Sequence, residues 1–142
     1  MKRVMAIDYG DARTGVVVSD ESATIAGDAW VIYEKRMQTL AQMIISEAEA
    51  RGVGVIVLGC PLNMNGTAGP RAEKTEQLAA KLRKLSSINV TLWDERMTTL
   101  QAGRILTETG AYGKKRKQTI DAVAAALILE SYLARSGVTA QS

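Results

Sequence analysis

Histidine and phenylalanine are both absent from the 142-residue sequence, cysteine occurs once, proline twice, and aromatic residues make up only 4%. Without histidine there is no Ser/His triad, no imidazole base and none of the usual zinc sites. A single cysteine, Cys60, excludes a disulfide framework and an all-cysteine metal site, and it fits a reducing compartment. Any bound metal would have to rely on oxygen ligands. With so few aromatics the core must come from Val, Ile, Leu, Met and Ala, which suits helices packed on an aliphatic sheet. No apolar run reaches the roughly 18 residues of a bilayer span. Met1-Lys2-Arg3 leads into a strand-like segment and not into a signal peptide, so the expectation is a cytoplasmic protein with no membrane partner.

What is present is ordinary for a globular chain: 46% hydrophobic and 23% charged residues. The length suits a single domain over 1–142, with the small, polar stretch 136–142 expected to fray. The net charge of +3 is local, because Lys114-Lys115-Arg116-Lys117 alone carries more than that. Such a block is either a solvated loop or a contact to a phosphate backbone.

Residues 4–8 form an apolar run ending in Asp8, and 14–20 contain Val16-Val17-Val18, so both read as buried strands. The link over 9–13 is too short for a parallel crossover and predicts an antiparallel hairpin. A third strand follows over 26–34. Apolar positions at helical spacing predict a helix over 37–51, stopped by Gly52. A β-branched strand over 53–58 leads to a loop over 59–69. Pro70 then opens a second helix, followed by a strand over 89–93 and helices over 98–108 and 119–134. The order is β-β-β-α-β-α-β-α-α. It predicts an α/β domain with a mixed five-stranded sheet, three antiparallel strands then two helix-linked parallel ones, and helices on both faces.

In that topology the first, fourth and fifth strands run the same way and their C-terminal ends share one edge, where ligand sites of α/β sheets gather. Asp8, the loop at Gly59 and the pair Asp94-Glu95 arrive there. Strand alternation puts Asp94 with Val90 and Leu92, and Glu95 with Thr91 and Trp93, which leaves open which acid faces the site. Asp121 falls in the first turn of the last helix, where an acid suits the helix dipole on its own account. The loop over 110–117 could extend about 26 Å at about 3.3 Å per residue, enough to return that helix to the same edge. Acids around a cleft, no histidine and a nearby basic loop meet the needs of metal-assisted phosphodiester hydrolysis with Mg²⁺ or Mn²⁺. Arg13 and Arg96 adjoin the acidic motifs, as structural ion pairs or as planar forks for phosphate oxygens. Trp30 and Trp93 read as core or boundary packing, and Cys60 as a small buried residue.

Ile7-Asp8-Tyr9-Gly10 with Arg13, Gly15, Ser19 and Asp20 resembles the opening motif of the YqgF/RuvX proteins, bacterial relatives of the RuvC Holliday-junction resolvases. The resemblance continues through Gly59, Pro61-Leu62, Gly66 and Gly69-Pro70. It runs on through Trp93-Asp94-Glu95-Arg96 with Thr98-Thr99, then Lys115-Arg116-Lys117 with Asp121, Ala124-Ala125 and Tyr132-Leu133. It implies an RNase H-like fold and a carboxylate triad of Asp8, Glu95 and Asp121 serving as catalytic groups and metal ligands. It also implies a nuclease that finishes the 5′ end of small-subunit ribosomal RNA precursors. One departure is Ala124, where the wider resolvase group carries a further acid; the number of metal ions, one or two, stays open on that account.

Three readings follow. The first is a Mg²⁺- or Mn²⁺-dependent endonuclease on structured precursor ribosomal RNA, in which Arg13, Arg96 and Lys114, Lys115, Arg116 and Lys117 engage the backbone, with ribosome-assembly components as further partners. The second is a resolvase of four-way DNA junctions, which would work as a symmetric homodimer and not as a monomer. The third is a non-catalytic RNA-binding assembly factor. Asp8-Tyr9-Gly10 also resembles the phosphate loop of the actin, hexokinase and heat-shock ATPase group, but those proteins close two lobes around ATP and this length suits one.

Overall fold

A computed structural model describes residues 2–23, 25–62, 65–94 and 122–141, the last helix as backbone alone beyond residue 135. Its strands are β1 (Arg3–Asp8), β2 (Thr14–Ser19), β3 (Ala26–Ile32), β4 (Val53–Cys60) and β5 (Asn89–Asp94); its helices are α1 (Met37–Ala50), α2 (Pro70–Leu85) and α3 (Val123–Gln141). The expected helix over 98–108 and the basic loop lie outside the described residues. The final helix, expected over 119–134, is described from Val123 and runs to Gln141, into the stretch expected to fray; that stretch holds no proline to stop a helix.

The five strands form one sheet in the order β3-β2-β1-β4-β5. β1, β2 and β3 pair antiparallel, while β1–β4 and β4–β5 pair parallel, as the short first link and the helical crossovers require. The β1–β4 register shifts between Arg3 and Val4. Nearby, the buried Ser19 side chain takes up a backbone donor, its Oγ accepting the Val4 N–H at 2.9 Å.

Alternation along the strands divides the core into two layers. Met5, Ile7, Val16, Val18, Ile56, Leu58 and Val90 face α1 and α2, which bury Leu40, Ile44, Leu78 and Leu82 against them. Val4, Ala6, Val17 and Val57 face the other way, against Ala122, Ala125, Ile128 and Leu129. Cys60 is buried, as expected of a small apolar side chain. Trp30 sits at the layer boundary under the Arg51 guanidinium, 4.2 Å from the ring centroid. Helix α1 stops where Gly52 takes a φ of +70°, a left-handed conformation that glycine adopts without penalty. Pro70 opens α2 at the position where a missing N–H costs nothing; at the other end the Ser86 N–H donates to the Leu82 carbonyl, and Arg83 Nη2 ties the last turn to β5 by donating to the Val90 carbonyl at 2.8 Å.

Candidate active site

Asp8 is the last residue of β1, and alternation puts it with Val4 and Ala6 on the α3 face of the sheet. Its partner across β2 is Gly15, so no side chain covers the carboxylate from that strand. On the other side Ile7 pairs with Leu58, and the next residue along β4 is again a glycine, Gly59. The carboxylate is partly buried, and among the described residues nothing donates a hydrogen bond to it. Burial pushes its pKa up, and the nearby positive charge of Arg71 only partly offsets this. A partly buried carboxylate without a donor is in want of a cation, and an oxygen donor of this kind suits a hard divalent ion.

The chain after Asp8 is held from two sides. Tyr9 is buried in the opposite layer, and its carbonyl accepts a 2.8 Å hydrogen bond from Arg71 Nη2 in the first turn of α2. Lys74 Nζ, one turn on, reaches Asp11 Oδ1 in the same β1–β2 turn at 3.3 Å. Gly10 is required there: a Cβ at this position would run into the Arg13 carbonyl oxygen. Its N–H makes a long 3.5 Å contact to Thr14 Oγ1. Arg13 stands exposed in this turn, without an ion pair among the described residues.

Asp94 ends β5 beside Cys60 of β4, so the C-terminal ends of β1, β4 and β5 do share one edge. The neighbouring Trp93 lies on the α3 face, where its Nε1 donates to Ser131 Oγ at 3.1 Å and its ring meets Tyr132 edge-on at 5.6 Å. Val90 and Leu92 belong to the α1/α2 layer. Asp94 therefore shares their side of the strand, opposite to Asp8. Glu95, Arg96, Lys114, Lys115, Arg116, Lys117 and Asp121 lie outside the described residues. Ala122, next in the chain to Asp121, is buried in the layer on the Asp8 face, and Ala124, where an acid stands in the wider resolvase group, is partly buried in α3.

The residues that sequence reasoning missed are Arg71 and Lys74. The distance along the chain hid them, since their partners are 62 and 63 residues away. A signal was nevertheless present, because a cation in the first turn of a helix opposes the dipole and needs another reason to be there.

Comparison with solved structures identifies the class of fold. Thermus thermophilus RuvC in complex with a Holliday junction substrate superposes with a TM-score of 0.66 at 14% identity, over 96% of this chain and 97% of that one. The yeast mitochondrial Holliday junction resolvase gives 0.60 at 15%, over 93% and 78%. The fold is thus that of the RuvC-like, RNase H-fold resolvases. The sequence narrows this further: the model of the RuvX family, described as a Holliday junction resolvase, matches residues 2–135. The chain belongs to the RuvX family. It is 42% identical over 134 residues to the "Putative pre-16S rRNA nuclease" of Ruminiclostridium cellulolyticum, covering 94% of each chain. To the protein of the same name from Geobacillus thermodenitrificans it is 44% identical over 133 residues, 92% of this chain and 96% of that one.

Proposed function

We propose that this RuvX-family protein is a nuclease that matures the 5′ end of small-subunit ribosomal RNA precursors, acting as one cytoplasmic domain over residues 1–142 and requiring Mg²⁺ or Mn²⁺. The observation that carries the metal requirement is Asp8: a partly buried carboxylate at a strand end, flanked by Gly15, with no donor among the described residues. The name borne by relatives at 42% and 44% identity over nearly their whole length supports the ribosomal RNA substrate. No helix among the described residues is long and apolar enough to cross a membrane.

Asp8, Glu95 and Asp121 are the residues we assign to the metal. Of the acidic pair we choose Glu95, as the family resemblance implies; Asp94 lies on the side of β5 opposite to Asp8, and Glu95 lies outside the described residues. A divalent ion held by these residues would supply Lewis acidity toward a phosphoryl group and a bound water. The chain's own groups do the rest. Asp8 brings negative charge into a partly dehydrated position, where it attracts a cation more strongly than it would in water. Arg71 fixes the backbone immediately after it. Arg13, Arg96 and Lys114, Lys115, Arg116 and Lys117 supply positive charge for the substrate backbone.

The test is cleavage of a 5′-extended ribosomal RNA precursor and a four-way DNA junction by the wild type and Asp8→Asn, each in Mg²⁺ and in Mn²⁺. We expect the wild type to cut the RNA and the variant to cut neither substrate. Cutting of the junction alone would replace this reading with that of a resolvase, for which a homodimer is required. Binding of the RNA without cleavage by either protein would make it an assembly factor.

A further inference from the structure

Arg71 is the first of a series of cations on α2. Lys74, Lys81 and Lys84 follow it at exposed or partly exposed positions. At about 100° per residue, Arg71, Lys74 and Lys81 fall within an arc of about 80°, and Lys84 lies about 60° beyond. Glu73 and Glu76, the acids of this helix, fall outside that arc. The stripe is held at two points: Arg71 Nη2 donates to the Tyr9 carbonyl at the Asp8 strand end, and Lys81 Nζ donates to Gln38 Oε1 of α1 at 3.2 Å. Arg83 is turned elsewhere, to the Val90 carbonyl.

The charge on the outer half of this stripe is uncompensated. Arg71 lies near the Asp8 carboxylate, and Lys74 meets Asp11 at 3.3 Å, where both side chains are more than half exposed, so that pair is weak and exchangeable. The partner of Lys81 is an uncharged amide, and Lys84 has no partner among the described residues. From Arg71 to Lys84 the helix rises about 20 Å at about 1.5 Å per residue. One strand of a nucleic acid advances about 3.4 Å per phosphate, so this length faces about six nucleotides. A row of spaced cations suits a repeating polyanion better than a single small anion.

We propose that α2 is a phosphate-binding track, separate from the basic run at 114–117, along which the strand flanking the scissile bond leaves the Asp8 site. Its placement relative to a scissile bond rests on the nuclease reading above; its binding of nucleic acid does not. The experiment is fluorescence anisotropy, across a salt series, of a labelled RNA hairpin with a single-stranded flank of about 10 nucleotides and of the same hairpin without the flank. The proteins are the wild type, Lys81→Gln, Lys84→Gln, the double variant, and Lys2→Gln as a control for loss of a single lysine outside α2. For the flanked hairpin, the slope of log K against log salt is expected to shrink by about 0.7 per lysine removed, about 1.4 in the double variant. The bare hairpin and the Lys2→Gln protein should show no such change. An unaltered slope in the double variant, or an equal loss on both RNAs, would overturn the track. Because binding is read without cleavage, loss of the nuclease reading leaves this result interpretable, and failure of the track leaves the nuclease reading standing.

Discussion

Replacing Asp8 by Asn keeps the shape of the side chain and removes its charge, and the consequences for stability and for activity point in opposite directions. Burial holds the Asp8 carboxyl above the ordinary aspartate value, so the folded protein keeps this proton at pH values where the unfolded chain has already released it. Stability drawn from this group is therefore greatest in acid, and it is lost as pH rises from near 4 through the raised folded value. Once that proton is released the wild type carries the cost of an ionised, partly buried group with no donor; we put this at about 1 kcal/mol, the low end for an unsatisfied buried polar group, because water still reaches it. Asp8→Asn should accordingly melt about 4 °C higher at pH 7 in the absence of metal, and the gap should close toward pH 4. Added Mg²⁺ or Mn²⁺ should reverse the order. At ten times its dissociation constant a ligand stabilises the state that binds it by about 1.4 kcal/mol, or about 5 °C here, and only the wild type should gain this. Thermal unfolding by circular dichroism, with and without metal at several pH values, reads all three effects. A variant that melts below the wild type without metal, or that gains as much from metal as the wild type does, would refute the view of Asp8 as an unsatisfied cation ligand.

Other substitutions test the frame around the site. Gly10→Ala drives a methyl group into the Arg13 carbonyl, a backbone atom that cannot move without the turn; a loss of about 1–3 kcal/mol in urea unfolding is expected, with cleavage lost as well. Ser131→Ala leaves the Trp93 indole N–H without its partner and should cost about 1 kcal/mol, and a double-mutant cycle with Trp93→Phe should return most of that as coupling. Leu82→Ala empties a fully buried position between α2 and the sheet, for which about 2–5 kcal/mol is expected by the same unfolding assay, with a metal-dependent gain in melting temperature that persists.

The sheet was legible because its signals are local. The hairpin followed from a link too short to cross over, and the parallel strands from helical patterns between apolar runs, so the antiparallel pairing of β1 with β2 and the shared direction of β1, β4 and β5 came out as expected. The helix ends were less legible. The last helix was expected over 119–134; positions 119–121 lie outside the described residues, and the helix runs on to Gln141 through a stretch that holds no proline.

The site divides along the same line. Asp8 could be read as the polar end of an apolar strand, and its lack of a donor is what the structure adds. The side of β5 that Asp94 takes needed one fact that no single strand contains: which layer Trp93 joins. Its hydrogen bond to Ser131 puts it on the α3 face, the face of Val4, Ala6 and Asp8. Arg71 needed a contact across 62 residues, and no periodicity carries that information. Its cost is nonetheless written in the sequence, as a cation at a helix start where the dipole disfavours one. That cost is offset by the Tyr9 carbonyl and the negative charge of Asp8, so removing Asp8's charge should weaken the hold on Arg71. Arg71→Gln should therefore destabilise the wild type more than it destabilises Asp8→Asn. Equal losses in the two backgrounds would mean that the carbonyl alone keeps the guanidinium in place.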